Sequence, residues 1–317
     1  DMESAKQLKK IKKQINIPLI ADIHFDYRLA LEAINQGIDG LRLNPGNIGN
    51  KSRVVEVVKN AKKVNIPIRV GVNSGSIEKR LLEKYGHPTA EAMVESALDQ
   101  IKILEDINFN DIIISLKSTD IWMTLKAHKI LADIINYPFH IGITEAGSLR
   151  SGTVKSSVGV GSLLTRGYGD TVRISLTGDP VEEVKVAWQI LKSLNIREKG
   201  PDIISCPTCG RTRIDLVKVV SEVEQRLQDI NKNITVAVMG CEVNGPGEAK
   251  EADIGIAGGK NCGYIFKKGE LLKKVEEERN KRKRIKEVYY EELKKVKGIS
   301  FIYEEENVKS SQQYLVI

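Results

Sequence analysis

Ile66-Pro-Ile-Arg-Val-Gly-Val-Asn73, then Thr89-Ala-Glu-Ala-Met-Val-Glu-Ser-Ala-Leu-Asp-Gln-Ile-Lys-Ile-Leu-Glu105, then Asp111-Ile-Ile-Ile-Ser-Leu-Lys117 sets two short β-branched runs around one amphipathic stretch. In the middle segment Met93, Ala97, Ile101 and Leu104 recur at helical spacing, which predicts a helix over Thr89 to Glu105 between two strands. Strands separated by a helix of that length lie parallel, because the crossover returns the chain to the same end of the sheet.

Outward from that unit the same alternation runs from Asn16 to about Leu194. The strand-like runs are Ile17 to His24, Gly40 to Asn44, Ile66 to Asn73, Asp111 to Lys117, Phe139 to Glu145 and Thr171 to Thr177, each followed by a helical pattern or helix start. Met2 to Gln14 reads as the helix leading into the first of them. A closed β/α barrel has eight units and typically about 250 residues. Residues 1–195 hold six, and two more at about 30 residues each ahead of Asp1 would restore the usual size. The expectation is a TIM-type (β/α)8 barrel missing its first two units, and the chain's start at Asp1 rather than methionine points to a fragment or processed chain. An open doubly wound sheet is the alternative, but Gly159-Val160-Gly161 lacks a third glycine and follows no strand, so no nucleotide-binding fingerprint supports it.

Polar Asn195 to Gly200, leading into Pro201, reads as a linker. A small α+β domain is expected over 200–275: a strand at Asp202 to Ser205, a helix at Ile214 to Asn231, a strand at Ile234 to Met239, and strands near Ile254 and Tyr264. A helix from Glu270 runs into Lys281-Arg282-Lys283-Arg284, which reads as a solvated basic face, and 276–317 is left as a basic helix and tail without an assigned role.

The 317 residues carry 49 basic and 42 acidic side chains, a surplus of +7 that suits an anionic ligand as well as it suits nucleic acid, while 5% aromatic residues argue against a stacking platform for single strands. No apolar stretch is long enough for a membrane span, and no signal peptide opens the chain, so a soluble cytoplasmic protein is expected. In a reducing compartment Cys206, Cys209, Cys241 and Cys262 point to metal binding rather than disulfides.

Cys206-Pro-Thr-Cys209 sets two thiolates on one tight turn and Cys241 ends a buried-looking strand, so the three can converge on one metal. Asn244-Gly245-Pro246-Gly247 must turn sharply and can swing Glu248 back as a fourth ligand. A zinc knuckle with Cys262 as the fourth ligand is the competing reading, and spacing alone leaves iron–sulfur and zinc both open. On strands, residues two apart share a face. Asp22 with His24, Arg42 with Asn44, Arg69 with Asn73, Ser115 with Lys117, and Arg173 with Ser175 and Thr177 therefore lie on common faces near the C-terminal strand ends, where barrel sites are built. Four cations at equivalent positions suit a ligand with two phosphoryl groups. His24 is the best titratable candidate, whereas His87, His128 and His140 read as ordinary surface or strand histidines.

Ser205-Cys-Pro-Thr-Cys-Gly-Arg211 and Met239-Gly-Cys-Glu-Val-Asn-Gly-Pro-Gly-Glu-Ala249 closely resemble the hydroxymethylbutenyl diphosphate synthase family of the non-mevalonate isoprenoid pathway. So do Ala-Asp-Ile-His at 21–24, Leu-Arg-Leu-Asn-Pro-Gly-Asn at 41–47, Arg-Val-Gly-Val-Asn-Ser-Gly at 69–75, Ser115-Leu-Lys-Ser118, Thr144-Glu-Ala-Gly147 and Gly169 through Thr177. The resemblance implies reductive ring opening of methylerythritol cyclodiphosphate to hydroxymethylbutenyl diphosphate with loss of water. It implies a 4Fe-4S cluster held by Cys206, Cys209, Cys241 and Glu248, the oxygen ligand being exchanged more readily than a thiolate. It also implies that the barrel cations Arg42, Arg69, Lys117 and Arg173 form a diphosphate clamp; the substrate site is expected to take in Asp22, Asn44, Asn73, Thr144 and Ser175 beside them, and Glu145 and His24 are read as the candidates for proton handling beside Glu248. Ferredoxin or flavodoxin is implied as electron donor, as is a homodimer in which the cluster domain of one subunit closes over the barrel of the other. Neither nucleic acid nor membrane is implied as a partner.

The chain departs from the family in lacking its first two barrel units, and the stretch after about Lys281 does not resemble the family's short C-terminus. Two competing readings remain: a dihydropteroate-synthase-like barrel, which holds a diphosphate without a cluster, and a zinc-stabilised RNA-binding module using the cysteine knuckle and the Lys281 to Arg284 run. The motif around Glu248 argues against the first, and bound zinc with salt-sensitive RNA affinity would mark the second.

Overall fold

The computed structural model of the chain describes residues 1–44, 48, 51–243, 247, 250–260 and 262–276. The chain divides after Ile196 into two units. In the first, α1 (Met2–Lys12) is capped by the Asp1 carboxylate, which accepts from the Ser4 N–H. There follow β1 (Ile20–Asp22), α2 (Tyr27–Asn35), β2 (Gly40–Leu43), α3 (Lys51–Lys63), β3 (Ile68–Asn73), α4 (Lys79–Tyr85), α5 (Ala90–Glu105), β4 (Ile112–Lys117), α6 (Ile121–Ala132), β5 (His140–Ile141), α7 (Leu149–Leu164), β6 (Thr171–Val172) and α8 (Pro180–Ser193). Strands β1 to β4 form a parallel sheet in chain order, β5 pairs parallel with β6, and a bridge from Ile114 to Phe139 links the two sets. Among the described residues no ladder joins β6 to β1.

Alternation along the strands divides the unit into two faces. Leu41, Leu43, Ile68, Val70, Ile112, Ile114 and Leu116 are buried with Val57, Met93, Ala97, Ile101 and Leu104 of the helices. Each such large side chain contributes about 1.5–3 kcal/mol by leaving water. The alternate positions carry Asp22, Arg42, Arg69, Ser115, Lys117 and His140. The helix α5 starts where its sequence directs, with Thr89 Oγ1 accepting the Ala92 N–H at 3.0 Å.

The ladders are shorter than the runs that predict them. Pro67 has no N–H to donate, and β3 begins one residue later. Beyond β5 and β6 the ladder continues for one bond, Arg173 N–H to Ile141 O at 2.9 Å, and is interrupted where Glu145 and Gly147 take φ 51° and 115°, with a single parallel bridge, Ser148 to Thr177, past the break. Among the described residues no helix is long and apolar enough to cross a membrane.

His128 corrects the expectation of an ordinary surface or strand histidine. It lies on α6, fully buried, its Nδ1–H donating to the Thr124 carbonyl at 2.8 Å and its ring 5.1 Å from that of Phe139. Burial pulls it down to about 4. An unfolded chain takes up this proton near 6.5 and the folded one only near 4, so the contribution of His128 to stability should be level above about pH 7 and fall as pH drops from about 6.5 to 4. The loss attributable to His128 is on the order of 3 kcal/mol. Thermal melts across that range should show the decline, with a shallower slope for His128→Gln; parallel slopes would assign the effect elsewhere.

In the second unit β7 (Asp202–Ser205), α9 (Leu216–Leu227), β8 (Thr235–Met239), β9 (Ile254–Gly259), β10 (Cys262–Lys267) and β11 (Glu270–Glu276) build a five-stranded sheet of order β11-β10-β9-β8-β7. Pairing is parallel from β7 to β9 and antiparallel from β9 to β11. Leu216, Val219, Val223 and Leu227 share one face of α9 and pack on Val236, Val238, Ile254, Ile256 and Ile265. The expected helix from Glu270 is instead strand β11. Lys268 and Gly269, at φ 48° and 77°, form a tight two-residue turn that pairs Lys267 with Glu270, so the hairpin overrides the local helix preference of Glu270 to Glu276. The basic run Lys281 to Arg284 and the tail lie outside the described residues.

Candidate active site and candidate metal centre

The inward side chains of the first unit collect positive charge. Register aligns Asp22, Arg42 and Arg69 across β1, β2 and β3, and Asn73 with Lys117 across β3 and β4. Arg42 Nη1 donates to Asp22 Oδ1 at 2.9 Å and lies 2.7 Å from His24 Nε2. A guanidinium only donates, so His24 Nε2 is the acceptor in that contact, and the same nitrogen lies 3.8 Å from Asp22 Oδ1. Asp22 is the only carboxylate bonded to any of these cations among the described residues.

Two glycines make room for the long side chains. A methyl group at Gly71 would lie 2.6 Å from Arg42 Nε and 2.9 Å from Nη2, so the guanidinium of β2 lies across the bare backbone of β3. A methyl at Gly142 would fall on the Arg173 carbonyl oxygen and 3.4 Å from Lys117 Cε. Both sit on the cation face, and residue type alone did not single them out. Gly71→Ala should displace Arg42 and weaken pyrophosphate binding about tenfold, the loss of roughly one charge-assisted contact. Calorimetric titration beside wild type checks this, and unchanged affinity would remove Arg42 from the site.

Burial, together with Arg42 and Arg173, holds Arg69 below its ordinary range. Lys117 is 8% exposed and has no hydrogen-bond or ion-pair partner among the described residues. Desolvation first, then Arg173, Arg69 and Arg42, brings its ammonium down to about 7. His140 likewise departs from the expectation of an ordinary histidine: it faces inward on β5, 7% exposed, with Nδ1 2.8 Å from Thr171 Oγ1 and Nε2 without a partner. Burial and the charges of Lys117, Arg69 and Arg173 push it down to about 2, so it stays neutral. Its parity with Gly142 and Thr144 along the strand-like run Phe139 to Glu145 was the signal that could have placed it in the site.

Asn73 shares the face of Lys117 at the end of β3; Asn44, Thr144 and Ser175, past the ends of β2, β5 and β6, are half-buried like Asn73, while Arg173 is exposed. Glu145 is exposed, in the left-handed region at φ 51°, and accepts from the Thr119 hydroxyl at 3.5 Å. A non-glycine residue there marks local strain, a feature that clusters at working sites.

In the second unit Cys206 follows β7 and Cys241 lies two residues past β8, so both thiols sit at the same end of a parallel ladder. Cys206 Sγ accepts the Gly240 N–H at 3.2 Å. The turn that follows the second cysteine is fixed by Thr212, whose Oγ1 accepts from the Cys209 N–H at 3.1 Å and whose N–H donates to the Cys209 carbonyl at 3.0 Å. The Arg211 backbone N–H and guanidinium lower the Cys209 thiol, favouring thiolate. Free thiols, N–H donors aimed at sulfur and a lowered thiol fit a soft, thiolate-bound metal centre. Among the described residues no group of three or more potential ligands is gathered closely enough to hold a metal, and Glu248 lies outside the described residues.

Against known families, residues 1–188 match the GcpE TIM-barrel domain and residues 202–290 the GcpE protein C-terminal domain. Among curated proteins, the 4-hydroxy-3-methylbut-2-en-1-yl diphosphate synthase (flavodoxin) of Clostridium acetobutylicum is 61% identical over 278 residues, covering 88% of this chain and 80% of that protein. The protein of the same name from Geobacter sulfurreducens is 60% identical over 277 residues, covering 87% and 78%. That of Geobacillus thermodenitrificans is 56% identical over 278 residues, covering 88% and 74%.

Proposed function

The chain belongs to the GcpE family, the oxidoreductases named 4-hydroxy-3-methylbut-2-en-1-yl diphosphate synthases, and from that premise we propose that it reductively opens 2-C-methyl-D-erythritol 2,4-cyclodiphosphate. In the balanced step the C2–O bond to phosphate breaks, the C3 hydroxyl leaves as water, and a C2–C3 double bond forms. Two electrons and one proton enter, and 4-hydroxy-3-methylbut-2-enyl diphosphate leaves. The observation that carries the reading is the placement of Arg42, Arg69 and Lys117 on one face of β2, β3 and β4, with Arg173 just past β6 close enough to act on Lys117 and, among the described residues, one carboxylate bonded to them. Such a charge excess in a low-dielectric pocket favours a ligand bringing two negative phosphoryl groups.

In this reading Arg42, Arg69, Lys117 and Arg173 hold the diphosphate. Asn44, Asn73, Thr144 and Ser175 orient it, and Asp22 fixes Arg42. Glu145, exposed at the end of the cation face, handles the proton lost with the C3 oxygen. His24 Nε2, already accepting from Arg42, serves as a positioning group. Cys206, Cys209, Cys241 and Glu248 would hold a 4Fe-4S cluster, which when bound supplies electrons singly. Flavodoxin is the favoured donor, as in the names of the relatives, with ferredoxin the alternative. The reading extends to a cytoplasmic homodimer with cluster and substrate units meeting across subunits, and to a barrel whose first two units precede Asp1.

The test is an anaerobic assay of reconstituted protein with the cyclic diphosphate and reduced flavodoxin, following the product by phosphorus resonance. Product formed in proportion to flavodoxin oxidised, two electrons per molecule, is expected. Tight binding of the cyclic diphosphate with no turnover under any reductant would contradict the reading.

A further inference from the structure

We propose that anion binding in the cation pocket loads a proton onto Lys117, so that the buried amine is a proton-linked grip that becomes fully charged only when the ligand arrives. The proposal rests on the anion pocket described above and goes beyond it by assigning a change of protonation to one residue.

The pocket's charge balance is the reason. Acting on Lys117 are Asp22 at the end of β1, Arg42 on β2, Arg69 on β3, His140 on β5, Arg173 just beyond β6 and the neutral His128 on α6; His24 and Glu145 stand at the strand ends nearby. The three guanidinium groups cannot release protons at any ordinary pH, and among the described residues they stand against one bonded carboxylate, Asp22. His24 offers its lone pair to Arg42, and Glu145 is exposed beyond the end of β5. His140 lies one step below on the same face, ring fixed by Thr171 and Nε2 unpartnered, too deeply set among cations to take up a proton itself. Lys117 is therefore the one cation of the cluster that can relieve the repulsion by becoming neutral. It is buried, its Cε lies over Gly142, and it has no acceptor among the described residues to hold the ammonium form. Burial and the three arginines set it near the pH at which the protein would work. A diphosphate reverses each of these terms, bringing negative charge and acceptors to an amine that lacked both.

By linkage, a group that gains a proton on binding makes affinity fall as pH rises through the empty-pocket value, about 7 here. Above that value each decade of pH should cost about tenfold in affinity until the bound-state value is reached.

The experiment is calorimetric titration of the full chain with P1,P2-dimethyl diphosphate, whose charge is constant across about pH 6 to 9, in buffers of different ionisation enthalpy. At about pH 8, wild type is expected to take up most of one proton per ligand bound, and Lys117→Arg to bind with no uptake and a flat pH profile. Wild-type binding without uptake would overturn the proposal while leaving the anion pocket standing. Uptake persisting in Lys117→Arg would move the proton to another group and overturn it equally. A folded wild type that binds no probe at any pH would overturn the pocket and the proposal together.

Discussion

Lys117→Met is expected to lower kcat/KM for the cyclic diphosphate by at least about a hundredfold, roughly 3 kcal/mol of transition-state stabilisation. The side chain is buried at the end of β4, and Arg42 is held in its own place by Asp22 and across Gly71. Removing one partner of a desolvated, hydrogen-bonded charge pair costs about 2–5 kcal/mol. Methionine keeps the apolar stem over Gly142, so thermal stability should hold or rise as repulsion from Arg69 and Arg173 is relieved. A stable variant with undiminished kcat/KM would place the diphosphate elsewhere.

The second large effect is at Cys206. Cys206→Ala should abolish retention of iron and lower turnover by more than about a hundredfold, beyond what loss of a mere supporting group around a metal costs. The thiol lies at the end of β7, packed against both small cores of the second unit, with the Gly240 N–H pointing at its sulfur. Alanine leaves that donor unsatisfied but removes little volume, so circular dichroism of the metal-free variant should match that of metal-free wild type. Full iron content in Cys206→Ala would exclude this residue as a ligand.

Much of this architecture was legible from residue order, because the parallel β/α succession depends on local periodicities that short windows carry. Met93, Ala97, Ile101 and Leu104 marked α5, and the six strand-like runs appear as β1 to β6 in order. What failed was set by distant pairing. Glu270 to Glu276 has the composition of a helix, yet the Lys268-Gly269 turn delivers it to β10. The extent of β5 and β6 depended on where Glu145 and Gly147 turn the chain, which a β-branched run does not announce.

The candidate site was legible to the extent that strand parity reveals it, and Arg42, Arg69 and Lys117 share one face as spacing required. Parity says nothing of depth, so His140 and His128 were read by their polar surroundings in sequence, whereas strand and helix packing bury them. Gly71 and Gly142 escaped notice because their contribution is the absence of a side chain beneath Arg42 and Lys117. The cysteine motifs could be read as ligands, while their choice between iron and zinc turns on Glu248 and Cys262.

Metal analysis of anaerobically purified wild type, Glu248→Ala and Cys262→Ser therefore tests the central claim most directly. The account predicts a brown wild-type protein with about four irons and four sulfides per chain, a labile or altered cluster in Glu248→Ala, and full iron in Cys262→Ser. A colourless protein carrying one zinc, untouched by Glu248→Ala and lost in Cys262→Ser, would contradict it.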